Sequence, residues 1–251
     1  MSKRIEIYGD GIGRVELVDH LGSDLTVVNS ARVSFGAHKE ALDKKDKKLI
    51  NYLIKHQHTS TLEHCVATFY FKVPLYVRSQ HHRHRTWSYN EISRRYTSES
   101  LEFYEPTDYR IQHENNRQAS RSGELKNPLL SFGTEEWGYS GYAPELVKKY
   151  HQNSVTFYRA LLRAGICREQ ARGVLPQNLY TEYYGTVNLH NALKFCASRL
   201  HEGAQWEIQQ VAMAMLSIMR DLWPITVQSW IKNLEDPKLR KAFLADQSPK
   251  I

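Results

Sequence analysis

Eighteen residues, Arg78 to Arg95, hold five arginines (Arg78, Arg83, Arg85, Arg94 and Arg95), three histidines (His81, His82 and His84) and a single acid, Glu91. That density of positive charge must meet an anion, face water or repel itself. Trp87, Ser88, Tyr89, Asn90 and Ser93 are threaded through it. A solvated basic face has no need of short hydroxyl and amide groups. A site for a phosphorylated, planar ligand does, because guanidinium forks grip phosphate oxygens in pairs and also stack on rings. Two readings stand on chemistry alone: a phosphate-ligand site and a plain basic surface.

Further along the chain, Arg168 and Arg172 are four apart on a short predicted helix and share a face. On the helix predicted to begin at Asn188, Asn188 and Arg199 lie almost three whole turns apart on one face, and His190 and Lys194 are again four apart. One helix could reach two ends of a long ligand; it could equally be a polar outer stripe. His56, His58, His64, His81, His82 and His84 lack zinc spacing and have only Glu63 and Glu91 nearby. Local arginines would oppose a dication by about 1 to 4 kcal/mol per close pair. No metal site is therefore expected. Cys65 and Cys167 each have a cationic neighbour that could lower a thiol pKa, yet neither has an identifiable base. Ser88 and Ser93 sit in no nucleophile elbow and read as ligand hydrogen-bonders.

The elements that must carry these groups read as follows. Residues 4–8 and 14–18 alternate around Gly9-Asp10-Gly11-Ile12-Gly13, a hairpin rather than a dinucleotide loop. Asp24 is expected to cap a first helix, and a second is expected over 40–55. A strand over 66–73 ends at Pro74, and a short helix to about His84 places Gln80 and Arg83 on one face. Residues 108–142 are polar and without period, which predicts a long loop or lid. Helices over 143–164 (apolar stripe Leu146, Tyr150, Phe157 and Leu161), 188–200 and 204–222 follow, with a strand over 179–187 between the first two. Pro224 breaks the last long helix and a short one follows near 226–233. Mixed elements without regular alternation indicate an α+β fold in a single domain, residues 1–251.

The 251 residues suffice for a real core. The formal net charge of +7 favours anionic partners, nucleic acid or small phosphorylated molecules, without choosing between them. Three scattered cysteines argue for a reducing compartment. No apolar run approaches membrane-span length, and no signal peptide is read at the N-terminus, so the expectation is cytoplasmic with no membrane partner.

Arg83-His84-Arg85, seven residues, then Ser93, within Tyr89-Asn90-Glu91-x-Ser93-x-Arg95-Tyr96, resembles the signature of the flavin-dependent thymidylate synthases. Residues 24–35, His56–His64, Gln80, Leu101–Pro106, Arg168–Tyr180 and Ala204–Gln210 resemble the family too, so the likeness covers nearly the whole chain. The resemblance implies an α+β fold with a central, mostly antiparallel sheet and long C-terminal helices. It implies reductive methylation of dUMP to dTMP, with methylene-tetrahydrofolate as carbon donor and a tightly bound FAD, reduced by NADPH, as hydride carrier. No enzyme cysteine nucleophile is implied. A homotetramer with shared active sites is. Carried over position by position, Gln80, Arg83, Glu91, Ser93, Arg95, Arg172 and Arg199 are implied dUMP contacts, with Arg199 the catalytic group at the pyrimidine. Ser60, Arg83, His84, Arg85, Glu91, Asn188, His190 and Lys194 are implied FAD contacts. The rival from another class is a basic nucleic-acid-binding module, since aromatic residues sit among the arginines.

Overall fold

Alternating apolar residues at the N-terminus fold into β1 (Arg4–Glu6) and β2 (Arg14–Leu21), followed by α1 (Asp24–Arg32), α2 (Lys44–Lys55), β3 (Val66–Pro74) and α3 (Leu75–His81). The cationic stretch then forms β4 (Ser88–Glu91). After it come β5 (Tyr109–Gln112), β6 (Ser120–Lys126), β7 (Leu129–Gly133) and β8 (Gly138–Tyr142). The C-terminal half is α4 (Ala143–Arg163), α5 (Arg168–Ala171), β9 (Tyr180–Asn188), α6 (Leu189–Arg199), α7 (Trp206–Leu222), α8 (Pro224–Lys232) and α9 (Pro237–Ala245). The computed structural model describes residues 3–98, 101–106, 109–134 and 138–245.

The central sheet has the order β1-β2-β3-β9-β4, and every pairing in it is antiparallel. Ala67, Phe69, Phe71 and Val73 turn to the core on β3, as Tyr183 and Val187 do on β9, the period-2 pattern of a half-buried sheet. Phe71 is in register with Tyr183 and stacks on it, ring centroids 5.0 Å apart. Gly185 is required here. A Cβ at that position would lie 3.0 Å from Phe71 and 3.2 Å from Trp87. The apolar faces of α6, α7 and α8 complete this core. Burying a large side chain such as Trp223 is worth about 3 to 5 kcal/mol against alanine.

Three local expectations change. Ser23, not Asp24, is the N-cap of α1. Asp24 is buried and accepts from Ile225 N at 2.9 Å and from Thr226 N and Oγ1 at 2.9 and 2.6 Å, so it caps α8 across the fold. Residues 108–142, expected as loop or lid, contain two hairpins, β5–β6 and β7–β8. On α4 the buried face carries Ala143, His151, Ser154 and Tyr158, whereas Tyr150 and Phe157 are exposed. That face is set by residues 101–106: Phe103 stacks on His151 at 4.6 Å and Glu105 lies 3.0 Å from His151 Nδ1.

Candidate active site

The sheet edge and the end of α3 position the cationic stretch. His81, last in α3, is buried and contributes packing: Nδ1 lies 2.8 Å from Tyr183 Oη, and Trp87 meets its ring edge-on at 4.5 Å. Burial, with the charges around it, pushes its pKa well down, so it is neutral. Anchored there, the chain turns through Arg83 and Arg85, which are exposed, and enters β4 alongside β9.

Two groups of functional side chains flank α3. On one side is a cleft of about 520 Å³, lined by Arg78, Glu91, Ser93, Arg94, Arg172 and Thr181 among others. Glu91 is held by Arg78 Nε at 3.1 Å and accepts from Thr181 Oγ1 at 2.6 Å. Ser93 Oγ accepts from the Arg95 backbone N–H at 3.3 Å, which leaves its own proton free to donate. Arg172 stands at the start of a short 3₁₀ turn after α5. Neither Arg83 nor Arg199 lines this cleft.

On the other side Arg199, the last residue of α6, reaches back to α3 and the turn after it. Its Nε donates to His84 Nε2 at 3.1 Å and its Nη2 to the Gln80 backbone oxygen at 3.4 Å. His84 is pushed down to about 4, first by burial and then by the charges of Arg199 and Lys194. It is therefore neutral with Nε2 as acceptor, which puts its proton on Nδ1. Burial also lowers the Arg199 pKa from its very high ordinary value, and the group remains a cation.

Three further predicted positions, Ser60, His190 and Lys194, border two larger cavities. Ser60 lines one of about 880 Å³ with Arg32, Phe35, Tyr52 and His58. His190 and Lys194 line another of about 940 Å³ with Ile54, Trp230 and Asp236. Gln57 and Thr59 border both. Gln57 follows α2 with φ 56°, a left-handed conformation rare outside glycine. The sequence carried no signal for it. Asn188 caps α6, its Oδ1 accepting from Asn191 N at 3.0 Å. Among the described residues no group of three or more His, Cys, Asp or Glu is placed to hold a metal ion, and no helix is long and apolar enough to cross a membrane.

The donor set fits phosphorylated ligands. The guanidinium groups of Arg83, Arg85, Arg95 and Arg172 bond to no acceptor among the described residues, while Arg199, Gln80 and Ser93 present further polar groups. Such a set, on an antiparallel α+β scaffold, is chemically suited to anionic, phosphorylated ligands.

The comparisons with known proteins specify that class. Residues 16–225 match the family described as thymidylate synthase complementing protein. The flavin-dependent thymidylate synthase of Thermus thermophilus is 42% identical over 93% of this chain and 79% of that protein. The one from Thermotoga neapolitana is 42% identical over 88% of this chain and 91% of that protein. The crystal structure of the UMP/dUMP methylase PolB from Streptomyces cacaoi bound with 5-Br dUMP superposes with a TM-score of 0.70 at 31% identity, covering 90% of this chain and 97% of that one. This chain belongs to the thymidylate synthase complementing protein family, whose members among these relatives are flavin-dependent thymidylate synthases.

Proposed function

We propose that this chain converts dUMP to dTMP by reductive methylation, taking carbon from methylene-tetrahydrofolate and hydride from FAD reduced by NADPH. The observation that carries the reading is the set of four guanidinium groups without acceptors among the described residues, Arg83, Arg85, Arg95 and Arg172, in a chain 42% identical to named flavin-dependent thymidylate synthases. One nucleotide phosphate and the two phosphates of a dinucleotide would satisfy them. Bound flavin would supply the hydride, and Ser60, Arg83, His84, Arg85, Glu91, Asn188, His190 and Lys194 would hold it.

The chain's own residues divide the remaining work. Arg95, Arg172 and the Ser93 hydroxyl grip the dUMP phosphate end, with Glu91 and Arg83 bordering both ligands. Arg199 faces the pyrimidine. A guanidinium there favours the N3-deprotonated ring and so raises electron density at C5, where the new bond forms. Its cation is kept directed by a neutral His84 that accepts from Nε. Two of the thiols are poor nucleophiles: Cys65 is pushed up to about 12 by burial and by Asp24, and burial raises Cys196 further. That supports chemistry without an enzyme cysteine. Arg199 does not line the cleft that holds Arg172, which supports a site completed between copies and hence a homotetramer with shared sites. A cytoplasmic location accords with this biosynthetic role.

The test is spectroscopic. Purified protein should be yellow, bleach with NADPH, and form dTMP from dUMP when methylene-tetrahydrofolate is present. Colourless protein that shifts RNA mobility at low salt would replace this reading with the nucleic-acid module.

A further inference from the structure

Gln80 is oriented by residues outside the set described above. Its Nε2 donates to Oε1 of Gln205, the N-cap residue of α7. Gln205 Nε2 in turn donates to Oε2 of Glu207 at 2.8 Å. Glu207 is buried, and its Oε1 accepts from Arg110 Nη2 at 2.6 Å. Arg110 also lies over the Trp206 ring, 5.1 Å from its centroid, and donates to Ser120 Oγ at 3.1 Å. The β5–β6 hairpin is thereby clipped to the start of α7. Four side chains, Arg110, Glu207, Gln205 and Gln80, form one line of hydrogen bonds that ends beside Arg199.

The direction of that line is forced. A carboxylate only accepts. Glu207 therefore fixes Gln205 with its nitrogen toward the carboxylate and its oxygen toward Gln80. Gln80 must then turn its nitrogen to Gln205. What remains of the Gln80 amide is one N–H and the carbonyl oxygen, which accepts no hydrogen bond among the described residues. Arg199 Nη2 binds the backbone oxygen of the same residue, which ties the guanidinium to the residue that carries this amide.

We propose that Glu207 is a specificity-determining positioning residue: through Gln205 it pins the Gln80 amide in the orientation that pairs with uracil and rejects cytosine. The inference rests on the dUMP reading above. At C4 uracil offers a carbonyl oxygen, an acceptor whether or not N3 carries its proton; cytosine offers an amino group there, a donor that the remaining Gln80 N–H cannot pair with. A freely rotating amide exchanges donor for acceptor by a half-turn and serves either ring. An amide pinned by a carboxylate relay cannot turn without setting oxygen against oxygen or N–H against N–H. A buried polar group left unpaired by the wrong base is what gives hydrogen-bonding sites their discrimination.

The experiment uses the full-length protein with its native flavin and measures dUMP and dCMP dissociation constants by equilibrium dialysis. Glu207→Gln is nearly isosteric and can present either donor or acceptor to Gln205. Gln205→Leu cuts the relay but keeps the Arg110–Glu207 pair, and it decides the matter if the first variant folds poorly. Each is expected to lower the preference for dUMP over dCMP by about tenfold, with flavin content unchanged. Equal weakening of both nucleotides, the signature of a merely structural role, overturns the inference, as does an unmoved preference. Parent protein that binds no dUMP refutes the dUMP reading and this inference together; parent protein that binds it while the variants keep full preference refutes the relay alone.

Discussion

Two cationic regions of this molecule treat their charge in opposite ways. Between α1 and α2, Asp46 is buried and accepts from Arg32 Nη2 and Lys39 Nζ, each at 2.6 Å. Burial alone would raise its carboxyl, but those bonds outweigh it and hold the group well below the usual carboxylate range. Asp46 also accepts from the Asp43 backbone N–H, so Arg32, Lys39 and Asp46 together join two helices and close a cap. Around β4 the reverse holds: Arg83, Arg85, Arg95 and Arg172 extend from the scaffold without acceptors among the described residues. Cations that the fold neutralises are structural; those it leaves open are solvated and available to an anionic ligand.

The comparison breaks most visibly at Arg199, which belongs to both descriptions because its Nε is bound to His84 while the proposed function turns it toward the pyrimidine. Arg199→Ala is expected to retain flavin and lose methylation by about 10²–10³-fold, the scale for removing a charge-stabilising donor. Equal turnover in variant and parent, measured as dTMP formed, would sink its role. Next in size, Asp46→Ala should destabilise the fold by about 3 kcal/mol, because Arg32 and Lys39 lose their buried partner. Arg172→Ala, by contrast, should leave stability within about 0.5 kcal/mol while weakening dUMP. Urea unfolding at one protein concentration reads both. A destabilised Arg172→Ala with unchanged nucleotide affinity would erase the distinction.

Much of this contrast was legible in the sequence, and its gaps have physical causes. The strands at 66–73 and 179–187 were visible because one sheet face is buried and period 2 follows. Gln80 and Arg199 were singled out separately, and the structure joins them by a hydrogen bond. Within 109–142 the strand β7 was hidden because Leu129, Leu130 and Phe132 are all exposed, so it has no buried face for period 2 to follow. Tyr150 and Phe157 suggested a packing stripe on α4, but which side of a helix is buried depends on the partner segment, here 101–106. Gln205 and Glu207 could not be found as a relay, since their function arises from contacts with Gln80 and Arg110, 125 and 97 residues away.

A smaller effect sharpens the open half. Ser93 Oγ accepts from the Arg95 backbone and keeps a proton to donate into the cleft. Ser93→Ala should weaken dUMP by about tenfold, one hydrogen bond's worth, and leave the chemical step in place. A covalent Ser93–substrate adduct in intact-protein mass spectrometry would contradict that role.

The smallest effect concerns His84, where the two regimes of charge meet. Its pKa lies near 4, below the ordinary imidazole value, because burial, Arg199 and Lys194 all oppose the cation. As pH falls below the ordinary value, the unfolded chain takes up this proton before the folded one does. The folded state therefore loses stability progressively between about pH 6.5 and the native value near 4, and none of this contribution is lost above that window. His84→Gln still offers an acceptor to Arg199 Nε but does not titrate. Urea midpoints at pH 7 and pH 5 should thus fall further for the parent than for His84→Gln. The buried His81 is depressed first by its own burial, which the substitution leaves in place. An equal fall in both would mean that His84 is not held neutral in the folded state and so does not accept from Arg199 Nε, and the guanidinium would then need another anchor to keep its proposed direction toward the pyrimidine.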